Sequence, residues 1–264
     1  MRIYQKAASL SLFAIAFLQL VVLTSDASTP ASQTSVLAGF GQTPLRFEPS
    51  ADQTCQQVRY ISRGNGYAMY FLPTEIALGL DVGPATTDLH HPFPPEKAAG
   101  HKFGLVHIKL EGASENAAIS AEQTLPEKIN YFLGNDPSQW RVNQSAYGRV
   151  HYQNLYPGID LVFYGNQTQL EYDFVLAPHT DASAICLKFE GADQIKIEPD
   201  GGLAFSVQGR VTRFRRPVLY QTIGGVRRNI AGGYHLLGNR VSFEIGTYNH
   251  SQPLVIDPVL SYST

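Results

Sequence analysis

Asp160, Glu171 and Asp173 are the residues whose types and spacing first suggest chemistry. They lie in Ile159-Asp160-Leu161-Val162-Phe163-Tyr164 and Gln169-Leu170-Glu171-Tyr172-Asp173-Phe174, two alternating runs joined by turn formers. Alternation sends successive side chains of a strand to opposite faces. A hairpin with a four-residue loop, Gly165 to Thr168, sets Tyr164 opposite Gln169. Ile159, Leu161 and Phe163 then share a face with Leu170, Tyr172 and Phe174. On the other face Asp160 stands opposite Asp173, and Val162 opposite Glu171. A slip of one residue would mix acidic and apolar side chains on both faces.

Like charges held across a ladder repel, so this acidic face needs compensation. Arginine from a neighbouring strand is one answer, with Arg141, Arg149, Arg213, Arg215 and Arg216 available. A bound calcium ion is a second, since it favours several carboxylate oxygens. Paired-carboxylate hydrolysis with a nearby histidine is a third. The structural answer is favoured, because paired charges are most often structural.

Other chemistry is thinner. His90, His91 and His101 fall in a Pro- and His-rich stretch, residues 81–103, expected to form a long loop. Imidazoles suit transition metals, yet their spacing fits no standard zinc pattern, and a solvated loop is the expected reading. His107 and His151 fall in expected strands, as surface or core residues rather than general bases. Cys55 and Cys186 are candidates for a disulfide, with two unpaired thiols as the alternative; closing so long a loop contributes about 4–5 kcal/mol on the chain-entropy argument. No G-x-S-x-G elbow and no phosphate-cradling glycine loop occurs. No catalytic residues are assigned, and an enzyme is not expected.

The elements that must position these residues are strands. Short alternating runs fill the chain from Gln57 onward, separated by Gly-Asn, Asp-Gly-Gly and Gly-Gly turns. One helical turn is expected at Asn135-Asp136-Pro137-Ser138-Gln139-Trp140, where an Asx residue caps and proline takes the first position. Trp140 is expected to plug the core. The fold class is all-β: an antiparallel β-sandwich, or two tightly packed sub-sandwiches, with at most one or two short helical turns.

Composition agrees. Of 264 residues 16% are charged and 44% hydrophobic, and Lys+Arg 20 against Asp+Glu 22 leaves no basic excess for nucleic acid. Met1-Arg2-Ile3-Tyr4-Gln5-Lys6, an apolar run from Ala7 to Leu23 and small residues at Ser25 and Ala27 make a signal peptide over residues 1–27. A polar leader over 28–44 and a β-rich domain over 45–264 follow, with a candidate sub-boundary near 134–146. After cleavage no segment is expected to span a membrane, and the destination is secretion or the cell surface.

Four strings carry a resemblance. They are Leu125 to Trp140 (LPEKINYFLGNDPSQW), Tyr156 to Asn166 with Leu170 to Phe174, and Leu254 to Thr264. Together they resemble the uncharacterised N-terminal domain of bacterial secreted proteins that carry SBBP-type β-propeller repeats. The resemblance runs from about Leu45 to Thr264. It implies a β-rich extracellular module, with a C-terminal propeller repeat region of the same chain as partner in relatives, no known activity and no established catalytic residues; no cofactor is expected, calcium aside. In relatives the Leu-Ser-Tyr-Ser-Thr ending leads into repeats; here the sequence stops at Thr264, which fits a stand-alone domain, a truncated gene or a fragment. The expected function is a non-catalytic structural or interaction module. An extracellular hydrolase, or a glycan- or cation-binding domain using the acidic hairpin face, is the alternative.

Overall fold

The computed structural model describes residues 45–50, 57–64, 66–82, 102–132, 134–166 and 169–261. Cys55, His90, His91 and His101, the expected signal peptide and leader, and most of the expected 81–103 loop lie outside the described residues.

Alternation decides most of the elements. The first group is β1 (Phe47–Pro49), β2 (Tyr60–Gly64), β3 (Tyr67–Leu72), β4 (Glu75–Asp81) and β5 (Phe103–Leu110). Two long strands, β6 (Ala118–Tyr131) and β7 (Arg141–Tyr156), lead into β8 (Ile159–Asn166) and β9 (Gln169–Leu176). Next come β10 (Leu187–Glu190), β11 (Gln194–Ile197), β12 (Leu203–Val207), β13 (Arg210–Phe214), β14 (Val218–Ile223) and β15 (Val226–Ile230). β16 (Gly232–Leu237), β17 (Arg240–Ile245), β18 (Leu254–Asp257) and β19 (Val259–Ser261) close the series. In β9 every second residue, from Leu170 to Leu176, is buried. Among the described residues the only helical pieces are two 3₁₀ turns. The expected one spans Pro137–Gln139, where Asp136 Oδ1 accepts from the Ser138 N–H at 2.9 Å.

All ladders are antiparallel, and they form one continuous sheet where sandwich layers were expected. The path runs β16, β17, β10, β5, β4, β3, β2, β1, β7, β8, β9. β1 is the staple, pairing with β2 on one side and with β7 through Phe47 and Tyr147 on the other. Beyond β9 the path forks: β18 carries it to β14 and β15, and β19 to β13, β12 and β11. β16 then packs near β11 and β14, so the sheet is nearly closed into a barrel. A strongly twisted sheet of many strands curls on itself, and closure hides its edges.

The core is a relay of aromatic rings across that curl. Phe71 meets Phe163 edge to face at 5.0 Å, Phe163 meets Tyr172 at 5.6 Å, and Tyr172 meets Phe214 at 5.9 Å. Such pairs contribute about 0.5–1.5 kcal/mol each beyond the area they bury. The side chains left over by this inward set form the outer face.

Candidate functional site

The acidic hairpin keeps its expected faces but not its expected register. Tyr164 stands opposite Glu171, Val162 opposite Asp173 and Asp160 opposite Val175. The ladder extends to Asn166 opposite Gln169, two residues further than a four-residue loop allows. A shift of two preserves every inside and outside assignment, so alternation alone could not exclude it. Asp160 and Asp173 are therefore not cross-strand partners, and the carboxylates divide between two clusters.

Asp160 belongs to a histidine clamp. His151 on β7 contacts Glu122 Oε1 of β6 through Nδ1 at 2.9 Å and Asp160 Oδ2 of β8 through Nε2 at 3.0 Å. Asp160 is fixed in turn, because its Oδ1 accepts from the Asn154 N–H at 2.7 Å. Asn154 has a φ of 53° within the irregularity that separates the Tyr152 and Tyr156 pairings. Burial opposes the imidazolium, but the hydrogen bonds and charges of Glu122 and Asp160 outweigh it and raise the His151 pKa. With each nitrogen donating to a carboxylate, the ring has no free lone pair for general-base work. It ties three strands together instead.

Glu171 and Asp173 belong to the second cluster. Ile256 pairs with Phe174 and Val259 with Glu171, which sets Asp257 opposite Asp173 and Pro258 opposite Tyr172. Burial and the neighbouring Asp257 push the Asp173 carboxyl up to about 6, against a hydrogen bond from Tyr164 and the charge of Arg149. Burial also raises Asp257, with Arg227 opposing, and raises Glu171 together with Asp257, with Arg215 opposing. The Arg149 guanidinium lies over the Tyr164 ring at 5.1 Å. Two of the expected arginines thus reach this face. Arg213 is bound to Glu198 at 3.1 Å, and Arg216 to the Gly232 carbonyl at 3.1 Å.

A third feature is the ribbon of β6 and β7. No residue of β6 is buried, nor is any from Arg141 to Ser145. Its tip end is tied to β1 and β2 by buried Glu48, whose Oε2 accepts from the Tyr131 hydroxyl and from Arg63 Nη1 at 3.1 Å. Burial and that bond to Glu48 push the Tyr131 hydroxyl up to about 12. Beyond this tie, Phe132 is 64%, Trp140 38% and Val142 51% exposed, so Trp140 does not plug the core. Its ring meets Phe132 edge to face at 5.1 Å, and its Nε1–H donates to the Gly134 carbonyl at 3.1 Å.

Cys186 Sγ donates to Glu111 Oε2 at 3.4 Å, and Arg240 grips the same carboxylate at 2.6 and 3.0 Å. Burial, then Glu111, pushes the thiol pKa up, away from reactive thiolate. Among the described residues no group of three His, Cys, Asp or Glu side chains is arranged to hold a metal ion, and no helix is long and apolar enough to cross a membrane.

The sequence reading missed Asp257, Glu122 and the exposed tip. Alternation in Leu254-Val255-Ile256-Asp257 already put Asp257 on an outer face; what it lacked was the partner strand.

The fold and this outer face define an all-β domain whose charged groups are largely engaged with one another. Residues 47–259 match the family described as Domain of unknown function (DUF7948), and the chain belongs to it. No curated protein and no solved structure matches the chain.

Proposed function

We propose that this domain is a non-catalytic interaction module of a secreted or cell-surface bacterial protein, and that the ribbon tip is its docking element. The observation that carries this reading is the exposed, internally braced pair of Phe132 and Trp140. Val142, two residues beyond Trp140, adds a further exposed apolar side chain, and exposed apolar patches mark interaction sites. Two or three side chains fall well short of the roughly 20–30 residues a side of a stable complex, so the tip is an anchor within a larger contact. Bracing lowers the entropy lost on binding, as suits an aromatic hot spot. The outer-face acids favour the same reading, since Asp160 is held by His151 and Asn154 and Asp173 by Tyr164.

The partner is a protein, and the SBBP-type propeller region is the one the sequence resemblance offers. Export rests on the signal-peptide pattern of residues 1–27. The test is calorimetric titration of the full chain against a purified propeller-repeat segment from a relative. Binding should be lost in the Phe132→Ser/Trp140→Ser double variant, whose melting temperature should stay within about 3 °C of the parent, as for exposed sites. Equal binding by both proteins would refute the docking role.

A further inference from the structure

The run from Leu254 to Ser261 is one extended segment interrupted at Pro258, and it pairs along the whole of β9. Asp257 faces Asp173 across this ladder. Each carboxylate has its Oδ1 buried without a hydrogen-bond partner. The remaining contacts are asymmetric: Asp173 receives a hydrogen bond from Tyr164, and Asp257 Oδ2 lies 3.7 Å from Arg227 Nη2. A buried carboxylate oxygen without a partner is costly, and two facing acids cannot both ionise there without repulsion. One proton between the two strands relieves both penalties, because a protonated carboxyl can donate where a carboxylate only accepts.

We propose that Asp173 and Asp257 share one proton across the ladder, and that releasing this proton to water loosens the seating of the C-terminal strand. The groups around the pair come from every adjacent element. Arg149 of β7 and Tyr164 of β8 act on Asp173, Glu171 lies on β9, and Tyr220 of β14 feels both acids. Arg227 of β15 and Tyr234 of β16 interact with Asp257, and Arg215, between β13 and β14, acts on Glu171. The arginines favour ionisation, yet burial and the opposing acid prevail and hold Asp173 near 6. Facing acids that share a buried site titrate as a pair.

The direction of the pH effect follows from linkage. Free aspartate titrates near about 3.9, so between roughly 4 and 6 the folded pair binds more protons than the unfolded chain. Its stabilisation is complete below that window and is lost as the pH rises through about 6. The loss falls on the segment that joins β9 to β14 through β18 and to β13 through β19.

Hydrogen exchange of the full chain, corrected for intrinsic rates, tests this between pH 4.5 and 7.5. Protection at residues 170–176 and 254–260 should fall by about tenfold or more across the window, more than elsewhere in the sheet. The melting temperature should drop by several degrees. Asp173→Asn should flatten both profiles and raise the melting temperature at pH 7.5, and Asp257→Asn tests the pair from the other strand. Profiles unchanged in both variants would overturn the proposal. So would a rise in melting temperature with calcium chloride at pH 7.5 that Asp173→Asn abolishes, because the buried oxygens would then hold a cation rather than a proton.

Discussion

Each ring nitrogen of His151 lies within hydrogen-bond reach of a carboxylate, and because ionised carboxylates only accept, the protonated ring alone satisfies both contacts. Its folded pKa lies above the ordinary value. The clamp therefore stabilises the fold below about pH 6.5, and that stabilisation is lost as the pH rises through the folded pKa. His151→Gln should cost about 1 kcal/mol at pH 6, discounted for solvent screening, and distinctly less at pH 9. Urea denaturation at the two pH values checks this; equal losses would contradict a charged clamp. This window lies above that of Asp173, so the two effects separate by pH. At this scale the sequence was informative about type but not about partner. His151 was placed on a strand as a cross-strand residue, and Asp160 on the outer face, yet nothing local joined them. Trp140, which follows the expected helical turn, was read as a core plug, but a turn at the end of an exposed ribbon offers no core to enter.

The strands and their faces were legible because alternation is a local signal. The hairpin register was not, since a shift of two residues costs alternation nothing. It is set by how far the ladder runs and by the contacts of neighbouring strands. The full length of β6 was not legible, because its exposed residues do not alternate cleanly against a core. Turn chemistry was read more securely, as at Asp136 and Pro137. Gly191, which follows β10, gives a test of such chemistry: its φ is 87°, and a Cβ there would collide with the Leu105 carbonyl oxygen. Gly191→Ala should cost about 1–3 kcal/mol through backbone strain. Thermal unfolding reads the loss, with Gly209→Ala as a control of like φ but with open space around it. An equal loss in the two variants would leave the collision without effect.

Closure is a property of the whole molecule, assembled from pairings between distant segments, and sequence patterning carries little of it. Sandwich and barrel demand the same alternating strands. Because one continuous sheet encloses one aromatic relay, residues 45–261 should unfold in a single transition. Near-ultraviolet and far-ultraviolet circular dichroism should give coincident melts; two separated transitions would point to independent sub-sandwiches. The central position of the final strands has a consequence for the order of events in a cell. A polypeptide synthesised from its amino end must present more than two hundred residues before β18 and β19 arrive to join β9 with β13 and β14. Until then the halves of the barrel have no common wall. The barrel thus gains its shared wall late, when residues 254–261 become available to pair.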